Sequence, residues 1–305
     1  MIGVIARQQL LSLRRQGVFL VLLATLLVMT GLAGVIGWSS HQTIVRVYGV
    51  ATNLLAAEGK PAPPNPFDLK PTLSLLSNMA IYIPLIGALL ALVVGHLSMA
   101  DDDSTGLGRL IFSRPVPRAQ YVAGKAIAAA AALAVAMAAC SLVSALSLLI
   151  VNQAAPTIGE LGRLALFYGL SWLYLLGFAL LGMVTVLITP RRSLALLAAM
   201  GVWLVLTFAL PQFTSGLHPV ASLNPIVDPV STSQPFFRVT ANARPISLTE
   251  QYKHAAGQIL ATAPATSNGD TARRLVPLVL SVVGLGAAAA QLVQRHDYAR
   301  GSANE

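Results

Sequence analysis

The sequence predicts an all-α integral membrane protein with six transmembrane helices, and three observations predict it. Hydrophobic residues make up 55% of the 305, only 10% are charged and mean hydropathy is +0.71, outside the composition of water-soluble domains. The apolar residues gather into runs long enough to cross a bilayer, at about 17–38, 78–97, 126–151, 164–188, 194–210 and 275–292. The bases stand in small groups at the ends of those runs, so the net charge of +9 and the pI near 10.2 read as membrane orientation and exclude a nucleic-acid surface.

Each element follows from its residues. Within 1–16, Ile2, Ile5, Ala6, Leu10 and Leu13 share one face of a helical wheel while Arg7, Arg14 and Arg15 lie opposite; Val4 and Leu11 break the pattern. This is the pattern of an interfacial helix lying on the membrane surface. Gly17 to Trp38 is longer than a signal-peptide core and reads as a retained signal anchor, the first span. Residues 39–74 read as an extracytoplasmic loop, extended around Lys60-Pro-Ala-Pro-Pro-Asn-Pro66. The second span precedes a polar loop, 98–125, and the third is rich in alanine, which lets helices approach closely in lipid. Asn152 to Glu160 link it to the fourth, and Thr189-Pro-Arg-Arg192 turns the chain into the fifth, which Pro211 is expected to end. The second extracytoplasmic segment, 214–274, is crowded with prolines. Within it Ser247-Leu-Thr-Glu250 resembles a capping box opening a helix with Leu248, Tyr252, Ala256, Ile259 and Leu260 on one face. That helix offers a surface to a periplasmic partner.

Six spans place both termini on one side. The positive-inside rule assigns Arg7, Arg14, Arg15, Arg114, Arg118, Lys125, Arg191, Arg192, Arg295 and Arg300 to the cytoplasm. Arg273 and Arg274 fall on the opposite side, in a long loop of the kind that translocates with little regard to charge.

The sequence carries little chemistry of its own. It has no phosphate-binding loop, no H-E-x-x-H and no G-x-S-x-G; Cys140 is the only cysteine and sits in an apolar run, and the five histidines are scattered. Met79 and Met99 read as packing, not as metal ligands. Ionisable residues are almost absent from the interiors of the spans, which argues against an ion-coupled pump. No enzymatic activity, metal or cofactor is expected in this chain.

The most informative stretch is Asp101 to Lys125, with three acids and four bases between two spans. Leu107 to Phe112 can form a short half-apolar helix, Pro115 and Pro117 stop it, and Arg114, Arg118 and Lys125 surround the break. Asp101 to Asp103 are acids of the kind that cap a following helix. The run Ser113-Arg-Pro-Val-Pro-Arg118 followed by Tyr121-Val-Ala-Gly-Lys125 resembles the signature of ABC type-2 transporter permeases, although Pro117 stands where a serine is usual and the acids lie slightly upstream. Among branches, the chain resembles permeases for copper-enzyme maturation of the kind serving nitrous oxide reductase, and Leu223-Asn-Pro225 resembles an asparagine–proline pair found there. Multidrug and bacteriocin-immunity permeases share most of these features.

The resemblance implies a multi-pass inner-membrane permease subunit that pairs with a second copy or a paralogue and with two ABC ATPase subunits, which would bind ATP and Mg. It also implies that Leu107, Arg109, Phe112, Arg114, Pro115, Pro117, Arg118 and Lys125 form a cytoplasmic coupling helix and its flank, docking in a groove of the ATPase. ATP-driven motion of that helix would drive export of a substrate. The copper-maturation branch implies instead mechanical action on a periplasmic partner through 214–274, and a non-transporting scaffold is the third reading.

Overall fold

Among the described residues, six helices are long and apolar enough to span a membrane: Gly17–Ala57, Thr72–Ala100, Arg118–Ile150, Ile158–Ile188, Arg192–Ala209 and Leu275–Gln294. The computed structural model describes residues 2–61, 72–104, 117–152, 156–189, 191–215, 247–262 and 268–295, with no strand among them. The segments expected to hold the coupling helix (Leu107–Phe112), most of the proline-rich loop and the Leu223-Asn-Pro225 motif lie outside the described residues.

Helix α1, Ile2–Arg15, precedes α2, Gly17–Ala57. The second span begins with a 3-10 turn, Thr72–Leu76, and a short α3, Met79–Tyr82. A π turn at Ile83–Gly87 follows, and then α4, Ala88–Ser104. Helices α5, Arg118–Asn152, and α6, Ile158–Ile188, are the third and fourth spans. The fifth is α7, Arg192–Leu204, extended through a π turn at Val205–Ala209 into α8, Leu210–Ser215. Helix α9, Leu248–Ile259, lies in the long loop, and α10, Asn268–Arg295, is the sixth span.

The core is the crossing of α4 and α6. A Cβ on Gly95 would enter the carbonyl of Ala179, and one on Gly182 would enter that of Leu92. Glycine is required on both helices for backbones to approach this closely, which is how lipid-embedded helices gain van der Waals contact. Helices α10, α5 and α7 pack around α6, and α2 lies against α5.

Several expectations are corrected. Residues 39–57 are helical, not a loop. Helix α2 has 41 residues, a length of about 60 Å at the α-helical rise against a hydrocarbon core about 30 Å thick. It leaves the bundle at Gly37, which lies against the carbonyl of Leu75 at the start of the second span, and no residue beyond it in α2 is buried. The helix continues because nothing between Trp38 and Ala57 breaks it. It stops at Gly59, whose φ of +66° lets its amide bond the carbonyl of Ala56 while Lys60 N–H reaches that of Leu55, a Schellman cap. The apolar fifth span ends at Ala209, but its helix runs on to Ser215 and does not end at Pro211. The π turn just before it widens the helix where a proline would otherwise clash with the carbonyl four residues back. Asp101–Asp103 lie in the last turn of α4, and the helix they were expected to cap falls outside the described residues.

Capping differs too. Ser247 makes no side-chain cap hydrogen bond. The capping box that forms is Thr157–Glu160 at the start of α6, where Thr157 N–H donates to Glu160 Oε2 at 2.8 Å and Glu160 N–H donates to Thr157 Oγ1 at 3.3 Å. Ser247 is fully buried in the bundle, while Thr157 faces water, where the box can close.

Candidate functional site

Two regions concentrate polar groups inside an otherwise apolar bundle. The first gathers the ends of four helices. Lys125, 2% exposed, donates from Nζ to Gln9 Oε1 at 2.8 Å and to the carbonyl of Ser98 at 2.6 Å, and lies 5.3 Å from the centre of the Tyr121 ring. One ammonium thus joins α1, the end of α4 and the start of α5. A buried cation persists only where carbonyls and a ring face replace its hydration. Beside it Gly124 admits α1: a Cβ there would sit 3.0 Å from Ile5 Cβ and 3.2 Å from the carbonyl of Ile2. The Gly124–Lys125 pair is therefore the seat of α1. Ala6, Gln9 and Leu13 of α1 are buried, whereas Arg7, Arg14, Arg15, Val4 and Leu11 face outward. Its apolar face is consequently used on the protein.

Arg118, at the start of α5, is exposed along much of its length and donates from a guanidinium nitrogen to the carbonyl of Gln294 at 2.5 Å. That carbonyl belongs to the last turn of α10, where a cation completes an open helix end. Of the residues expected to couple to an ATPase, the structure thus gathers Lys125 and Arg118 at one end of the bundle, with Pro117 exposed beside them. Leu107, Arg109, Phe112, Arg114 and Pro115 lie outside the described residues.

The second region surrounds α9. Every residue from Ser247 to Leu260 is buried or half-buried, so this helix is seated against the bundle, in contact with α3, α6, α8 and α10. Its apolar face, at Tyr252, Ala256 and Leu260, packs into the bundle. Tyr252 stacks on Tyr174 of α6 at 4.5 Å and 24°, and its hydroxyl pairs with Ser171 at 2.9 Å. The Tyr174 hydroxyl pairs with Thr249 at 2.9 Å, and Thr249 Oγ1 donates to the carbonyl of Leu206 in the fifth-span π turn. Thr214 donates to Glu250 at 2.6 Å. Burial lowers the pKa of the Lys253 ammonium, and the Glu250 carboxylate opposes that shift.

The two π turns are linked through the same region. Trp203, at the end of α7, donates its indole N–H to the carbonyl of Pro84 in the second-span π turn at 3.2 Å. Carbonyls loosened by each π turn are therefore taken up by neighbouring side chains, as spans require where the regular ladder is broken.

Sequence reasoning missed Gln9, Ser98, Tyr174, Ser171, Thr249 and Trp203, and gave Gly124 no structural role. Gln9 stood in the apolar face of α1 and was the readable signal; Tyr174 and Ser171 looked like ordinary residues of an apolar span, and Thr249 like an interior position of the Ser247–Glu250 capping box.

With this geometry in place, comparison with known families gives a single description. The chain matches the family model of the ABC-2 family transporter protein over residues 4–298, nearly its whole length. It belongs to the ABC-2 transporter family, whose members are multi-pass membrane subunits working with ABC ATPase subunits. No curated protein gave a significant match.

Proposed function

We propose that this chain is the permease subunit of an ATP-driven exporter in a bacterial inner membrane, and that the end carrying α1, Lys125 and Arg118 is cytoplasmic. One observation carries the reading: Lys125 ties the surface helix to the exits of the loop joining the second and third spans. A push on that loop by an ATPase would be felt at once by α1, α4 and α5, and through Arg118 by α10. Energy from ATP and Mg bound on the two ATPase subunits would reach the bundle at that point. The far end, plugged by α9, would open in response, an alternating-access switch biased by nucleotide.

The test is ATPase stimulation in the purified complex. Arg114→Glu should leave insertion intact and abolish stimulation of the ATPase by the permease. Arg118→Glu should do the same and also loosen the end of α10, seen as faster amide exchange near Gln294. Unchanged stimulation in both variants removes the coupling role.

A second reading is favoured by α2, whose last turns stand clear of the bundle with Val47, Val50 and Leu54 exposed. In it, ATP hydrolysis moves extracytoplasmic elements against a periplasmic partner and little solute crosses. Affinity purification in mild detergent distinguishes the two. An ATPase alone supports export, an ATPase with a periplasmic protein supports mechanical action, and neither leaves a scaffold. The second permease, a copy or a paralogue, is identified in the same sample.

A further inference from the structure

A cavity of about 370 Å³ lies between α6, α10 and the fifth-span π turn. It is lined by Gly177 and Phe178 on α6, Leu278 on α10, Leu206 in the π turn and Leu248, the first residue of α9. The lining is almost wholly apolar. The one lining hydroxyl outside the α9 clasp, on Ser281, is committed to the carbonyl of Leu278 at 2.7 Å. Both α6 and α10 pass the cavity within their membrane-crossing windows, Ile158–Ile188 and Leu275–Gln294.

Its mouth is at Gly284. That residue lines the cavity yet is exposed, and a Cβ there would meet nothing within 4 Å. Leu280 and Val283, 63% and 62% exposed, flank it on the outward face of α10. The missing side chain thus opens a notch in the exposed apolar face of a membrane-crossing helix.

Three occupants are conceivable on physical grounds, and two fail. Water needs several polar partners in a cavity, and these walls supply almost none. An empty space of this volume forfeits the dispersion contacts of every group around it, a loss that grows with cavity volume. Hydrocarbon is the solvent of an apolar membrane-crossing face, and it has the chemistry of the walls. We propose that the cavity binds one acyl chain of a bilayer phospholipid, entering sideways past Gly284. Tyr174 belongs both to the wall and to the hydroxyl pairing that holds Thr249, so the seated chain touches α9 at Leu248 and, through Tyr174, the clasp that holds it.

The experiment uses the full chain in phosphatidylethanolamine–phosphatidylglycerol liposomes. A phosphatidylethanolamine carrying a mid-chain diazirine is photolysed, and labelled peptides are mapped by mass spectrometry. A free fatty acid with the same diazirine is run in parallel. The expected result is phospholipid labelling of Tyr174–Leu181 and Leu278–Leu285 several-fold richer than at outward positions such as Val135 and Leu166. Gly284→Leu should cut that enrichment several-fold, while Gly201→Leu, at an exposed glycine of the fifth span, should not. Labelling no richer than at Val135 and Leu166 overturns the site, and that comparison needs no variant to fold. Enrichment unchanged in Gly284→Leu overturns the entry route, and labelling by the fatty acid alone overturns the bilayer-lipid source.

Discussion

At the scale of single residues, Lys125 and Gly124 explain why a glycine and a lysine open the third span. The glycine lets α1 approach to contact distance, and the lysine then finds Gln9 Oε1 and the carbonyl of Ser98 within reach. Lys125→Met keeps the stem and removes the charge, leaving the Gln9 and Ser98 oxygens without this donor. A loss of about 1–3 kcal/mol is expected for stranding buried hydrogen-bonding groups, seen as a lower melting temperature in detergent and faster amide exchange across α1. Gly124→Leu should displace α1 altogether by overlap with Ile5. The measurement is a distance from α1 to the start of α5 by spin labels, which should lengthen and broaden.

The elements show a different economy of design. Helix α9 is amphipathic in sequence, and its apolar positions Tyr252, Ala256 and Leu260 are buried as expected. What holds it are hydroxyls: Tyr252 to Ser171, and Tyr174 to Thr249 to the Leu206 carbonyl. Thr249→Val keeps the shape while removing two of these bonds. An expected cost of about 1–3 kcal/mol for unpaired buried groups should appear as faster amide exchange confined to Leu248–Ile259, with α6 unaffected. The crossing of α4 and α6 is less forgiving. Gly182→Leu drives a side chain into the carbonyl of Leu92, so the protein should fail to elute as a single species in size exclusion.

For the whole molecule, the links of Lys125 to Gln9 and Ser98 and of Arg118 to Gln294 place α1, the end of the second span, the start of the third and the end of the sixth at one end of the bundle. The reach of α2 beyond Gly37 puts its last turns past the other end. In a Cys140→Ala background, Thr52→Cys should react with an impermeant maleimide added to intact cells, and Val4→Cys only after permeabilisation. The reverse pattern would invert the topology assigned from the bases.

Apolar runs and their flanking charges by themselves determined an all-helical membrane protein with six spans, because transfer of backbone and side chains into lipid leaves few alternatives. The helical wheel of 1–15 determined which face of α1 is buried, and the Gly124–Lys125 pair marked a site without saying what it does. The end of α2 was also written in Ala56-Ala-Glu-Gly59, although its polar composition read as loop. Only the tertiary structure decided that Lys125 faces inward, that Pro211 is absorbed by a π turn and that α9 enters the bundle. These depend on partners far away in sequence: a lysine, a proline or an amphipathic helix has a local preference, and packing against residues dozens of positions away determines whether that preference prevails.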